Sequence, residues 1–294
     1  MLKGSFVALV TPFHEDGSIH YEGLRQLIEY HISHQTDGFV LLGTTAEATT
    51  LSLEEQKELV LFCLRIIQKR VPVIVGAGSN DTATAIQKAK LFSSLGADYL
   101  LCITPYYNKT NEQGLIAHFT AIAEASLVPI LLYNVPSRTG MNISISVLEA
   151  LAKHPNVIGI KEASGNLNYA SQITALLNDR FVMLSGNDDI IVPMMAIGAT
   201  GVISVLANIC PRQTHTLCSL CLKEQYSQAR YLQSKLLPLA NALFLETNPI
   251  PIKAAMNVLG FQVGGYRLPL YEMDQMKKKE LIAILDQSKE LVDL

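Results

Sequence analysis

The sequence predicts a (β/α)8 (TIM) barrel followed by a C-terminal helical extension, and three features carry that expectation. Eight short apolar runs alternate with longer stretches of helical period, the rhythm of repeated strand–helix units. The runs are nearly continuous in apolar residues, as parallel strands covered on both faces must be. No Gly-x-Gly-x-x-Gly opens the first strand–helix turn, which argues against an open dinucleotide-binding sheet.

Strands are expected at 6–10, 38–42, 71–75, 99–103, 129–133, 157–161, 181–184 and 201–204. Between them, 21–33 carries Leu24, Leu27, Ile28 and Ile32 at helical spacing, and 53–69 carries Leu59, Phe62, Cys63, Ile66 and Ile67. Ser52 followed by Glu55 is a capping-box signature for the second of these helices. The stretches 81–95, 113–126, 144–153 and 167–177 repeat the pattern. After Ser204 the strand signal stops, and 211–245, 252–259 and 274–291 read as helices broken by Asn248-Pro249-Ile250-Pro251 and Gly264-Gly265. The expected division is a catalytic barrel over 1–224 and a helical extension over 225–294.

Bulk properties narrow the function classes. At 294 residues, 49% of them hydrophobic, the chain is long and apolar enough to bury a large core. A net charge of −3 provides no basic footprint for nucleic acid or anionic lipid. The apolar runs are too short and broken to cross a membrane, and the N-terminus lacks the pattern of a signal peptide, so a cytoplasmic location is the expectation. Cysteines 63, 102, 210, 218 and 221 are odd in number and scattered over apolar segments, which fits reduced, buried thiols. Cys218 and Cys221 supply only half a tetrahedral metal site.

In this fold reactive residues gather at the C-terminal ends of the strands. Here those ends carry Gly43-Thr44-Thr45-Ala46-Glu47, Gly76-Ala77-Gly78-Ser79-Asn80, Thr104-Pro105-Tyr106-Tyr107-Asn108, Tyr133-Asn134-Val135-Pro136-Ser137-Arg138-Thr139-Gly140, Lys161, and Ser185-Gly186-Asn187-Asp188. A strand-end lysine alone has a bland reading: it snorkels to water or pairs with its neighbour, here Glu162. The neighbourhood favours another. A desolvated lysine is an amine nucleophile that forms a Schiff base with a carbonyl. Tyr133, ending the adjacent strand, is placed to carry protons for it, and Thr44 and Tyr107 can extend that network towards solvent. Arg138 over the mouth suits bidentate grip of a carboxylate. Thr44 and Thr45 also suit a helix cap, and Gly186 suits either a turn or close backbone approach to a ligand. The histidines show no metal-ligand spacing, no HExxH occurs, and no Gly-rich phosphate loop follows the last strands. A metal-dependent aldolase and a phosphosugar substrate are therefore disfavoured.

These strand-end runs, with Gly159-Ile160-Lys161-Glu162-Ala163-Ser164-Gly165-Asn166, resemble the dihydrodipicolinate synthase family of class I Schiff-base pyruvate aldolases and lyases. The resemblance covers essentially the whole chain, including Asn248-Pro249-Ile250-Pro251 and Arg267-Leu268-Pro269. It implies a lyase of lysine biosynthesis, needing no cofactor, that condenses pyruvate with aspartate 4-semialdehyde through an imine on Lys161. It further implies that Tyr133, Thr44 and Tyr107 form a proton relay and that Thr45 and the Ile203 backbone contact pyruvate, with Gly186 also at the substrate. Arg138 would steer the semialdehyde carboxylate. Tyr107 would reach across a tight dimer interface, and two dimers would form a homotetramer. An effector site would include Asn80, Tyr106 and Thr49.

Two positions depart from the family pattern. Ala46 stands where Gly-Thr-Thr-Gly-Glu has glycine, which would cost about 1 kcal/mol if that residue needs positive φ. Gln56 and Thr84 stand where lysine-sensitive members have a histidine and a glutamate, with Leu53 and Ala48 nearby, so weak or no inhibition by lysine is expected. Two other readings compete. A sister lyase acting on N-acetylneuraminate or a 2-keto-3-deoxy sugar acid would use the same lysine and tyrosine but usually lacks Arg138. A non-catalytic keto-acid-binding barrel would have no use for a proton relay.

Overall fold

The computed structural model describes residues 2–293. Among them, eight parallel strands close into a barrel in sequence order: β1 (Gly4–Ala8), β2 (Gly38–Leu41), β3 (Val73–Gly76), β4 (Tyr99–Ile103), β5 (Ile130–Asn134), β6 (Val157–Glu162), β7 (Val182–Ser185) and β8 (Gly201–Ser204), with β8 pairing back to β1. The expected strands are all present, displaced by two residues or fewer at either end.

Strand alternation sorts the core into two parts. Phe6, Ala8, Val40, Ile74, Leu101, Leu131, Tyr133, Leu184 and Ile203 fill the barrel interior. Val7, Leu9, Phe39, Leu41, Val75, Leu100, Cys102, Leu132 and Met183 face outward into the helix layer. Each fully buried side chain such as Phe39 contributes on the order of 2 kcal/mol relative to leaving it in water.

The helices are α1 (Tyr21–Ser33), α2 (Leu53–Ile67), α3 (Thr82–Ser94), α4 (Glu112–Ala125), α5 (Pro136–Thr139), α6 (Ile145–Leu151), α7 (Leu167–Ile173), α8 (Ile191–Ala196), α9 (Pro211–Leu222), α10 (Tyr226–Ala242), α11 (Ile250–Val258) and α12 (Gln275–Gln287). Several start on side-chain caps in the loops that lead from strand to helix: Asp81, Asn111, Ser144 and Asn166 each accept a backbone N–H of the first turn. Ser52 and Glu55 form the expected capping box.

Three features differ from expectation. The helix expected at 211–245 is two, separated at residues 223–225, where Glu224 adopts φ 59°. α5 and α8 were not anticipated, since four and six residues are too few to show helical periodicity. The helix expected to follow the Asn-Pro-Ile-Pro run begins inside it, with Pro251 in the first turn, where a proline needs no N–H partner. The five cysteines lie buried and unpaired.

His31 on α1 is fully buried, and neither ring nitrogen has a hydrogen-bond partner among the described residues. Desolvation pulls its pKa from 6.5 to about 3. Below about pH 6.5 the unfolded chain takes up a proton that the folded chain refuses, so this histidine withdraws stability progressively as pH falls towards 3. His31→Leu should therefore raise the melting temperature, with a gain that widens on acidification by up to about 1.4 kcal/mol per pH unit. Thermal melts between pH 7 and pH 4 check this; a gain independent of pH contradicts it.

Candidate active site

Lys161 and Tyr133 are placed by strand register. Tyr133 on β5 is the register partner of Lys161 on β6, so both side chains enter the same level of the barrel at its C-terminal mouth. Both are buried, 7% and 8% exposed. The Lys161 ammonium lies 4.4 Å from the centroid of the Tyr133 ring. An aromatic face gives a cation partial compensation only.

The pairing of Lys161 with Glu162 does not occur. Successive strand residues point to opposite faces, and Glu162 turns away, accepting from Asn134 Nδ2 at 2.7 Å and from the Ser164 N–H at 2.6 Å. Burial pushes its carboxyl above the usual range against the pull of these bonds. Among the described residues no carboxylate lies within ion-pair distance of Lys161. Asp188 senses its charge, but burial pushes this carboxyl up, and its Oδ2 is committed to the Val205 and Leu206 N–H groups, each at 2.9 Å. Lys161 is thus a desolvated amine without a counter-ion.

A cavity of about 200 Å³ opens over Lys161. Thr44, Thr45, Tyr133, Arg138 and Gly186 line it together with Lys161, as the sequence predicts. Ser137, Asn187 and Asn248 also line it and were not anticipated. Asn248 is the most consequential of these: its Nδ2 donates to Thr45 Oγ1 at 3.0 Å, and its carbonyl accepts from Arg138 Nη2 at 2.9 Å. It lies in the extension, away from any strand end, so barrel logic gave no signal for it. Ile203 packs in the barrel interior and does not line this cavity.

Tyr107 stands apart. It is 94% exposed, holds φ 70° and lines no part of this cavity. The turn around it is fixed by Asn108, whose side chain donates to the Asn80 carbonyl at 2.7 Å, and by Asn80, whose side chain donates to the Tyr106 carbonyl at 3.2 Å.

The condition for a penalty at Ala46 is not met. Residues Thr44–Ala46 form a single 3-10 turn, and the left-handed conformation falls on Glu47, φ 55°. Alanine carries no backbone penalty there. A left-handed glutamate persists only where its surroundings fix it, and Glu47 is fully buried against Lys253.

A second, larger cavity of about 530 Å³ shares Thr44, Tyr133 and Arg138 with the first and runs outward past Thr49, Tyr106, Gln56 and Lys88. Gln56 donates to the Ala48 and Leu51 carbonyls. Thr84 does not line it; its hydroxyl turns back to Asp81 at 2.6 Å. Burial lowers the Lys88 pKa from its ordinary value.

A model described as the dihydrodipicolinate synthetase family matches residues 1–288. The 4-hydroxy-tetrahydrodipicolinate synthase of Clostridium perfringens is 53% identical over 274 residues, 93% of this chain and 94% of that protein. That of Thermoanaerobacter pseudethanolicus is 47% identical over 288 residues, 98% of this chain and 97% of that protein. Among solved structures, the synthase of Methylacidiphilum fumariolicum SolV is 40% identical with a TM-score of 0.96, covering 99% of this chain and 97% of that one. The Aquifex aeolicus dihydrodipicolinate synthase is 38% identical, TM-score 0.96, and each chain is covered fully.

Gly186 shows how tightly the lysine is housed. A Cβ there would lie 2.5 Å from the Ala163 Cβ and 3.0 Å from Lys161 Cε. Gly186→Ala should displace the lysine and slow its reaction with a small keto acid by about tenfold or more, since misplacement by a fraction of an ångström is costly. Rates of hydride-trapped adduct formation at saturating keto acid check this; a wild-type rate contradicts it.

Proposed function

The chain belongs to the dihydrodipicolinate synthetase family, and we propose that Lys161 is the amine through which it condenses pyruvate with L-aspartate 4-semialdehyde. The product is 4-hydroxy-tetrahydrodipicolinate, and the step is the first committed one of the diaminopimelate route to lysine. The observation that carries the residue assignment is the buried ammonium of Lys161 with Tyr133 at its side and, among the described residues, no carboxylate partner.

The Lys161 amine attacks the pyruvate C2 carbonyl, and the carbinolamine loses water to give a protonated imine. Loss of a methyl proton gives the enamine, whose terminal carbon attacks the semialdehyde's aldehyde. The amine of the semialdehyde then attacks the imine carbon, which closes the ring and frees Lys161. Tyr133 moves protons in carbinolamine formation and dehydration, and Thr44 passes them on. Thr45, held by Asn248, the Ile203 backbone and Gly186 seat pyruvate. Arg138, held against the Asn248 carbonyl, takes the semialdehyde carboxylate.

Tyr107 completes the relay of a second subunit in this reading, its exposed phenol entering the neighbouring site, and two such dimers form a homotetramer. The barrel, 1–224, carries the lysine and the relay, and the extension, 225–294, closes over them. We place the enzyme in the cytoplasm with its small-molecule substrates. Among the described residues no helix is long and apolar enough to cross a membrane.

The 530 Å³ cavity, with Asn80 beside it, is the effector site of this reading. Among the described residues no carboxylate lines it, and the Lys88 ammonium does. An incoming lysine would meet a like charge and no partner for its own ammonium.

Three outcomes follow in a steady-state assay coupled to a reductase that consumes the product. Tyr133→Phe should lower kcat by about a hundredfold or more. Arg138→Leu should raise the KM for the semialdehyde about tenfold while leaving that for pyruvate nearly unchanged, as loss of a charged hydrogen-bond partner predicts. Sub-millimolar lysine should not inhibit the wild-type enzyme. Turnover of sugar acids in place of the semialdehyde would overturn the synthase assignment.

A further inference from the structure

We propose that Lys253, in the C-terminal extension, is a positioning residue for the proton relay, acting through Glu47 on the loop that carries Thr44 and Thr45. Among the described residues, Lys253 and Glu47 form the one ion pair with both side chains wholly buried, Nζ to Oε1 at 2.8 Å. All three ammonium protons are used: Lys253 Nζ also donates to the Thr11 carbonyl at 3.1 Å and to the Gly265 carbonyl. The other Glu47 oxygen accepts the Arg267 N–H at 3.0 Å. Glu47 holds φ 55° immediately after the turn Thr44–Ala46, and its N–H closes that turn on the Thr44 carbonyl at 3.1 Å. Thr11 Oγ1 donates to the Ala46 carbonyl at 2.7 Å, so the same network holds the turn from its other side.

Two charges buried together are expensive, and apolar side chains of the same volume would fasten the extension as well or better. Apolar packing does not fix direction, whereas a fully bonded ammonium and carboxylate do. The turn they fix presents Thr44 and Thr45 to the Lys161 cavity. The same extension supplies Asn248 to Thr45, so two independent contacts from outside the barrel set one catalytic loop. Neither Lys253 nor Glu47 lines that cavity.

The inference rests on the reading of Thr44 as a relay member, and a double-mutant cycle separates the two. Wild type, Lys253→Met, Thr44→Val and the combined variant are compared by kcat per active site, with sites counted as pyruvate trapped to completion by borohydride. The expected result is a fall of about tenfold or more in kcat per site for each single variant, with the pyruvate KM within about threefold. The combined variant should be no more than about threefold slower than the slower single, because both remove the same placement of one hydroxyl. If Lys253→Met does not fold, Glu47→Gln takes its place in the cycle with the same expectation. A variant with a lower melting temperature but wild-type kcat per site would overturn the inference, as would effects that multiply. A Thr44→Val enzyme with wild-type kcat would remove the relay reading and this inference with it, whereas a slow Thr44→Val beside an unimpaired Lys253→Met would remove the inference alone.

Discussion

An ammonium buried inside a closed barrel, with no carboxylate partner among the described residues, is the constraint on which the rest of the site depends. Closure sends alternate residues of every strand inward, where Phe6, Val40, Leu101, Leu131 and Leu184 make an apolar filling. A cation at that level is costly. The chain leaves Lys161 there and withholds the usual remedy: Glu162 faces the other way, and the nearest relief is the ring of Tyr133. A carboxylate partner would hold the lysine charged and unreactive. Tyr133 instead sets a phenol ring beside the lysine at the same level of the barrel.

The polar groups around the lysine are held by partners that do not themselves react. Asn134 and the Ser164 N–H occupy Glu162, while the Val205 and Leu206 N–H groups occupy one oxygen of Asp188. Asn248 orients Thr45 and Arg138 together. Burial of these groups makes each bond stronger and each loss more damaging than it would be in water. Arg267 extends the arrangement outward: it stacks over Phe13 at 4.8 Å and binds Glu55 through two nitrogens, which draws the Glu55 carboxyl down to about 2.

The fold was legible because barrel strands are buried on both faces, so each appears as an unbroken apolar run whose position needs no knowledge of its neighbours. Lys161, Tyr133, Thr44, Thr45 and Arg138 were legible for a related reason: they sit where those runs end, and the structure brings them to one cavity. Short helices such as Ile191–Ala196 left no periodic trace. The cost of Ala46 stayed open because sequence does not show that the left-handed residue is its neighbour Glu47. The parts supplied by the extension were missed for a deeper reason. Asn248 and Lys253 are more than 200 residues from the loop they fix, and nothing in a helix-forming stretch announces that its one buried lysine points at a glutamate near the other end of the chain. Tyr107 is the converse case: its placement in the chain was clear, but the structure leaves it 94% exposed and away from the lysine cavity.

The central claim is that Lys161 is the imine-forming amine, and trapping tests it most directly. The enzyme is incubated with pyruvate, reduced with borohydride, digested, and the modified peptide sequenced by mass spectrometry. The account predicts one reduced pyruvate adduct, on Lys161, that is lost in Lys161→Met. An adduct on another lysine, or none, would contradict it.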